Sequence, residues 1–258
     1  TEWFENNLSI YRLLILELLL PDTNLAIFCI RISVKYYMTN PSTPTNEEQR
    51  LSALKNYRIL DTLPEKEFDD IVKIASSVCG TSIALVSLVD SNRQWFKARK
   101  SMKAHETPRE LAFCAHAILK PDEVMIISDA AKDERFRDNP LVCGDPNIVF
   151  YAGAPLVNSQ GLAMGTLCVI DDHPRSLTPA QVETLKSLAN QVVSLLELRK
   201  NVSLLEQTKK ELEDANVLLG RFAHEVSHDL KAPLRGIKHI SEWMYKEYYD
   251  KLDSTGRE

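Results

Sequence analysis

The pattern of hydrophobic and polar positions divides the chain into two parts of different character. Between residues 47 and 175, short apolar runs alternate with polar turns, and their period changes repeatedly between helical and strand-like spacing. Helices are predicted over 47–57, 65–78 and 111–119, and strands over 82–89, 94–98, 123–128, 150–157 and 162–170. This order predicts an α+β domain with an antiparallel sheet and flanking helices.

After Pro174 the pattern is that of one long helix. Thr178 and Pro179 form a typical helix start, with a threonine N-cap and a proline at the first helical position. Apolar residues then recur every seven positions: Leu198, Leu205, Leu212, Leu219 and Val226. This heptad seam predicts a coiled-coil signalling helix over 176–222 and a parallel homodimer formed through it.

Residues 1–46 form an N-terminal extension and linker. Its apolar runs, 13–20 and 25–30, are each shorter than the roughly 20 residues that a membrane-spanning helix needs. A polar Thr/Asn/Pro/Ser tail follows Met38, which favours Met38 as the true start of the protein. A membrane-associated segment is the alternative for these residues.

The amino-acid composition argues against several kinds of binding site. The chain of 258 residues has only eight glycines, and none are clustered into a phosphate-binding loop before a helix. The net charge of −5 argues against nucleic acid as a partner. The five cysteines are at least 25 residues apart and form no CxxC pair, so we expect no metal site and a reducing, cytoplasmic location.

The segment 222–236 carries the sharpest candidate chemistry and reads FAHEVSHDLKAPLRG. The heptad count places His228 off the seam and facing water, where an imidazole is largely uncharged at neutral pH and can act as a nucleophile. Asp229 is placed to accept a proton from one ring nitrogen, which leaves the other free to attack. Pro233 is expected to bend the helix just past the histidine. From spacing alone, a solvated histidine on a helix face is the alternative.

Residues 227–235 closely resemble the H-box of sensor histidine kinases of two-component systems. The resemblance implies that His228 is the phospho-acceptor, that Asp229 activates it, and that the partners are a response regulator and an ATP-binding kinase domain. That domain would use ATP and Mg²⁺, and we expect no cofactor held by this chain itself. Residues 223–258 then correspond to part of the dimerisation and phospho-acceptor domain, in an N-terminal piece of a kinase or a natural truncation.

Residues 47–199 resemble a GAF domain, with the sensor itself expected over 47–175. The resembling strings are RILDTLP (58–64), FCAHAI (113–118), DERFRDNP (133–140), FYAGAPL (150–156) and GTLCVID (165–171). The resemblance implies a small-molecule sensor whose ligand the sequence does not identify. The candidate ligand-binding residues, for which core packing is an equally good explanation, are Trp95, Arg109, Cys114, His116, Phe150 and Tyr151.

Three functions follow from these features. The first is the sensory part of a histidine kinase, in which a small molecule or a redox signal controls phosphorylation of His228. The second is a non-catalytic dimeric GAF module with a vestigial H-box. The third is a phytochrome-like photoreceptor, against which Ala115 argues, because it separates Cys114 from His116 where bilin attachment typically uses an adjacent Cys-His pair.

Overall fold

The computed structural model describes residues 41–248, 251 and 253–256. The expectations for residues 1–40, including Met38 as the start, lie outside these described residues. The helices are α1 (Glu47–Asn56), α2 (Lys66–Cys79), α3 (Phe113–Ala117), α4 (Pro140–Cys143) and α5 (Pro179–Tyr248). The strands are β1 (Ile83–Val89), β2 (Arg93–Lys100), β3 (Glu106–Pro108), β4 (Met125–Ile127), β5 (Phe150–Val157) and β6 (Ala163–Asp171).

The six strands form one sheet in the order β3-β2-β1-β6-β5-β4, and every neighbouring pair is antiparallel. The predicted α+β domain with an antiparallel sheet is therefore confirmed. The central strands β1 and β6 are buried along their whole length, because both faces of the sheet are covered. Such strands show nearly continuous apolar runs in sequence.

The two faces of the sheet support two separate hydrophobic cores. Alternate residues of β1, such as Val86 and Leu88, pack with α1 and α2 in the first core. Leu85 lies on the opposite face with α3 and the segment that leads into β5. The first turns of α5 also enter the first core, through Leu185, Ala189, Val192 and Leu196. This part of α5 therefore packs with the sheet, although it lies within the segment 176–222 that was predicted as the signalling helix.

Short elements differ from the sequence prediction. The predicted helix over 111–119 is a 3₁₀ turn at Arg109–Leu111 followed by the shorter α3, and β3 occupies part of a stretch expected to lack structure. The stretch 129–147, for which no helix or strand was predicted, contains α4 and a second 3₁₀ turn, Ala130–Lys132. The side chain of Asn139 caps α4 by accepting a hydrogen bond from the backbone N–H of Leu141 at 2.9 Å. These elements are too short to produce a periodic pattern.

The start of α5 is as predicted. The Thr178 hydroxyl accepts a hydrogen bond from the backbone N–H of Gln181, and the Gln181 side chain accepts one from the backbone N–H of Thr178, which is a capping box. The helix continues through Pro233 to Tyr248.

Residues 201–258 form a second unit of the chain, and the heptad residues Leu205, Leu212 and Leu219 are exposed there. Dimerisation through this seam stays a prediction. Within the described part of the chain, no helix combines the length and the apolar character that crossing a membrane requires.

Candidate functional site

A cavity of about 140 Å³ lies on the face of the sheet opposite α2. Its sheet side is formed by residues of β1, β2, β5 and β6, and α3 and two loops complete its walls. The rim includes the exposed residues Ser101, Lys103 and Ala104. Most of the lining is apolar, as in other small-molecule sites, where a few polar groups provide orientation.

Two polar oxygens at this cavity lack a partner. Gln94 Oε1 and Thr107 Oγ1 are buried and accept or donate no hydrogen bond among the described residues. Both residues line the cavity, and they are cross-strand neighbours on β2 and β3. Since a buried polar group without a partner is costly, these oxygens are suited to a ligand or water that supplies hydrogen bonds.

Cys114 forms the centre of a buried polar cluster at the same cavity. Its Sγ accepts hydrogen bonds from the hydroxyls of Ser87, Thr166 and Tyr151 at 3.0, 2.9 and 3.3 Å. Cys168 Sγ lies 3.9 Å from Cys114 Sγ. Cys114, Tyr151 and Cys168 all belong to the cavity wall, so this cluster lies next to the cavity.

The cluster depends on a glycine. A Cβ added at Gly153 would lie 2.2 Å from the Tyr151 hydroxyl, so any side chain there would displace the phenol. Gly153 pairs with Cys168 across β5 and β6. The absent side chain therefore leaves room for the Tyr151 hydroxyl to reach Cys114.

The surroundings of Cys114 and Cys168 give their thiols different pKa values. Burial alone would raise the pKa of Cys114, but the hydrogen bonds from its neighbours outweigh burial and lower the pKa from 9.0 to about 7. Proximity to Cys114, together with burial, raises the pKa of Cys168 well above its usual value. Burial and the nearby Cys114 likewise raise the pKa of Tyr151. Cys114 is thus the thiol that ionises first, while Cys168 and Tyr151 keep their protons.

The structure does not bring all six predicted ligand-binding residues to one cavity. Cys114 and Tyr151 line it, but Trp95 and Phe150 belong to the core on the opposite face of the sheet. A side chain's face is set by its parity along the strand, so Gln94 rather than Trp95 faces the cavity. Gln94 was not predicted, although a polar residue next to Trp95 in a predicted strand was a usable signal.

Arg109 and His116 are engaged elsewhere. Arg109 donates hydrogen bonds to Glu47 and to the backbone carbonyl of Asp90, and these contacts fix α1 against the β1–β2 turn. His116 packs edge-on against Phe136, with ring centroids 4.8 Å apart. Burial, with help from the positive charge of Arg135, lowers the pKa of His116 to about 4. His116 is therefore neutral at pH 7.

The second candidate site is on α5, within the second unit. His228 is exposed, with 79% of its side chain accessible, and its Nδ1 lies 3.3 Å from Asp229 Oδ1. This contact leaves Nε2 facing away from the carboxylate, as a nucleophile would require. His239 is 3.9 Å from Glu242 and belongs to a separate pair.

One group of side chains in the described residues has donor atoms close enough for a metal ion. Oxygen and nitrogen atoms of Asp171, Asp172 and His173 lie within 4.8 Å of one another. The Asp171 carboxylate, however, already accepts hydrogen bonds from Ser82 and Arg175. Its charge is therefore already balanced by Arg175.

Taken together, a six-stranded antiparallel sheet covered on both faces, with a small cavity on one of them, defines a small α+β domain. The sequence model of the GAF domain matches residues 64–196, about half of the chain. The chain therefore belongs to the GAF domain family, as its sequence motifs predicted.

Two curated proteins show similarity in sequence. A cyclic di-GMP phosphodiesterase from Pseudomonas aeruginosa is 39% identical over 171 residues, which is 66% of this chain and 29% of that protein. The cyanobacterial phytochrome B of Nostoc sp. is 44% identical over 54 residues, which is 21% of this chain and 7% of that protein. The chain thus spans less than a third of the length of each of these relatives.

Solved structures show a more distant likeness. The GAF domain from an Acinetobacter phosphoenolpyruvate-protein phosphotransferase is 18% identical with a TM-score of 0.44, and the match covers 60% of this chain and 97% of that chain. The blue-light absorbing form of the PixJ GAF domain from Thermosynechococcus elongatus is 16% identical with a TM-score of 0.44, covering 63% of this chain and 96% of that chain.

Proposed function

We propose that this chain is the sensory part of a two-component histidine kinase. The GAF domain senses a small molecule or a redox signal at its cavity and controls phosphorylation of His228 for transfer to a response regulator. The observation that carries the proposal is α5, a single helix that begins in the core of the GAF domain and bears the H-box residues His228 and Asp229.

The input end of α5 is joined to the GAF domain by polar contacts as well as by its apolar face. Tyr57 donates a hydrogen bond to Glu197, and Arg199 Nε donates one to Glu65 Oε1 at 2.9 Å. Glu65 also accepts a hydrogen bond from the buried Lys97 of β2 at 2.7 Å. A change in the sheet that moves β2 therefore acts on a residue that also holds α5.

The output end supplies the chemistry. Asp229 lies 3.3 Å from His228 Nδ1 and can accept a hydrogen bond from Nδ1–H, which leaves the lone pair of Nε2 free to attack the phosphorus of the phosphate donor. The phosphoryl group then passes from His228 to a carboxylate of the response regulator. The nucleotide is bound by a kinase domain that we expect to act on this helix, while this chain supplies the acceptor and its orientation.

Phosphorylation in the presence of a histidine kinase ATP-binding domain and labelled ATP tests this function. We expect acid-labile label on the chain and its loss to background in His228→Gln. Asp229→Asn should lower the rate by about 100-fold, the scale of general acid–base catalysis. His224→Gln and His239→Gln are matched controls on the same helix and should keep the label. Label that persists in folded His228→Gln would overturn the assignment.

The alternative is a non-catalytic dimeric GAF module. The similarity to a cyclic di-GMP phosphodiesterase over 66% of this chain favours it, because the similar segment there belongs to a protein of different activity. The same assay separates the two functions. A chain that dimerises and responds to a ligand, yet accepts no phosphate at His228, supports the non-catalytic module.

A further inference from the structure

The buried pair of cysteines in the GAF domain has the geometry of a redox site. Cys114 is on α3 and Cys168 is on β6, 54 positions apart in the chain, yet their sulfurs are separated by 3.9 Å. A disulfide requires about 2.05 Å between sulfurs, so they must approach by roughly 2 Å. The two side chains belong to the second core, at the wall of the cavity.

Three hydroxyls prepare Cys114 for reaction. Ser87 and Thr166 are completely buried, and their hydroxyls, with that of Tyr151, point at one sulfur atom. Hydrogen bonds of this kind stabilise a thiolate, the reactive form of cysteine. Cys79 provides a contrast, because it is also buried but has no such hydrogen bonds within the described part of the chain, and burial raises its pKa.

The cavity gives a small oxidant access to the pair. Cys114 and Cys168 are among the residues in the wall of a space of about 140 Å³ whose rim includes exposed residues, and each is at most 1% exposed. Hydrogen peroxide fits such a space, whereas a peptide disulfide such as oxidised glutathione does not. Gln94 and Thr107 belong to the same cavity wall and have side-chain oxygens without a hydrogen-bond partner among the described residues.

We infer that Cys114 and Cys168 form a reversible disulfide when hydrogen peroxide enters this cavity. The Cys114 thiolate attacks one peroxide oxygen, the O–O bond breaks, hydroxide leaves, and Cys114 becomes a sulfenic acid. The Cys168 sulfur then attacks the Cys114 sulfur, its proton combines with the departing hydroxide as water, and the S–S bond forms. Two thiols lose two electrons to one peroxide, and an external dithiol such as dithiothreitol reverses the reaction.

Disulfide formation would remove the sulfur acceptor from three hydroxyls and draw α3 towards β6. The inference thereby deepens the proposed function by naming a signal, and to that extent it rests on that function. The experiment below measures only the oxidation state of the cysteines. Failure of this site and failure of phosphorylation at His228 are therefore distinguishable.

The test uses the full chain in a Cys29→Ser/Cys143→Ser background, which removes the exposed Cys143 and also Cys29, which lies outside the described residues. Reduced protein is treated with one equivalent of hydrogen peroxide, alkylated without reductant, digested and analysed by mass spectrometry. We expect one cross-linked peptide pair that joins Cys114 to Cys168, with Cys79 fully alkylated. Cysteines 114 and 168 that both stay reduced while the protein is folded would overturn the inference.

Variants identify the role of each group. In Cys168→Ser, peroxide should convert Cys114 to a sulfenic acid that dimedone traps, and no disulfide should form. Thr166→Val keeps the side-chain shape but removes one donor, so oxidation should slow by about tenfold. Oxidised glutathione should react far more slowly than peroxide with the native pair. A Thr166→Val variant that oxidises at the native rate would contradict the activation of Cys114 by its hydroxyl neighbours.

Discussion

Glu47 is held between two arginines at the start of the GAF domain. Its carboxylate accepts hydrogen bonds from Arg50 at 2.7 and 2.8 Å, and it also accepts one from Arg109. Burial opposes the charged form, but these hydrogen bonds outweigh it and lower the pKa of Glu47 from 4.5 to about 2. The folded state therefore favours the ionised carboxylate.

This shift predicts a pH-dependent contribution to stability. Because the pKa is lower in the folded state, the contribution is complete above about pH 4.5 and is lost as the pH falls towards 2. Glu47→Gln should reduce the free energy of unfolding by about 1–2 kcal/mol at pH 7, allowing for partial exposure of the group. The difference from the native chain should shrink between pH 4.5 and 2 in urea denaturation.

The neighbouring Glu48 is exposed on the same helix and provides the control. Glu48→Gln should change stability by less than about 0.5 kcal/mol at either pH. An equal loss in the two variants would contradict a specific role for the Glu47 cluster.

At the residue scale, sequence identified parts of the cavity but not the partners within it. Cys114 and Tyr151 were predicted from family-like strings, and both are at the cavity. Ser87 and Thr166 were missed because their meeting depends on the register of β1 with β6. In a sheet buried on both faces the apolar pattern does not alternate. The residues of one strand therefore do not specify its register with the next strand.

Two glycines in different elements should respond in opposite ways to alanine. A Cβ at Gly165 of β6 would lie 2.0 Å from the backbone oxygen of Ser87, so the paired strands would have to separate. At Gly220 of α5, a Cβ meets no heavy atom of the described residues within 4 Å. Gly165→Ala should destabilise the GAF domain by about 3 kcal/mol or more. Gly220→Ala should stabilise the helix by about 0.5–1 kcal/mol.

Urea denaturation followed by near-ultraviolet circular dichroism measures the first effect, and thermal loss of helical signal measures the second. Each variant is the control for the other, since the substitution is identical. Similar changes in stability in both variants would show that the steric contact at Gly165 does not determine the effect of an alanine there.

At the element scale, the length of a segment decides how well its structure could be predicted. The helix α2 and the strands β1, β5 and β6 are long enough to show their period, and their predicted bounds agree within one or two residues. The strand β3 has only three residues and includes Pro108, which lacks a backbone donor, so it carries no strand signal. It forms a strand because it pairs with β2, and its own sequence does not indicate one.

At the scale of the whole molecule, the exposed heptad seam predicts assembly with a second copy. Leu212 lies on the seam and Val217 lies off it, and both are more than half exposed. Leu212→Asp would place a charge between two helices, so the dimer dissociation constant should rise by about 100-fold or more. Val217→Asp should leave it nearly unchanged, because that position faces solvent in a coiled coil.

Sedimentation equilibrium of both variants and the native chain provides the comparison. A native chain that remains monomeric at high concentration, or equal weakening by the two substitutions, would contradict the coiled coil.

The continuity of α5 also makes this protein a natural starting point for chimaeras. In a fusion, another helical protein can be joined to α5 at the same heptad position. The apolar seam then stays continuous, because seven residues return the helix to nearly the same angle. A junction displaced by four residues turns the seam by about 50°. Fusion of other output segments after residue 200, with junctions moved by seven residues, would therefore keep the seam aligned and couple one sensor to different outputs. Junctions moved by four residues would give matched control fusions in which the seam is misaligned.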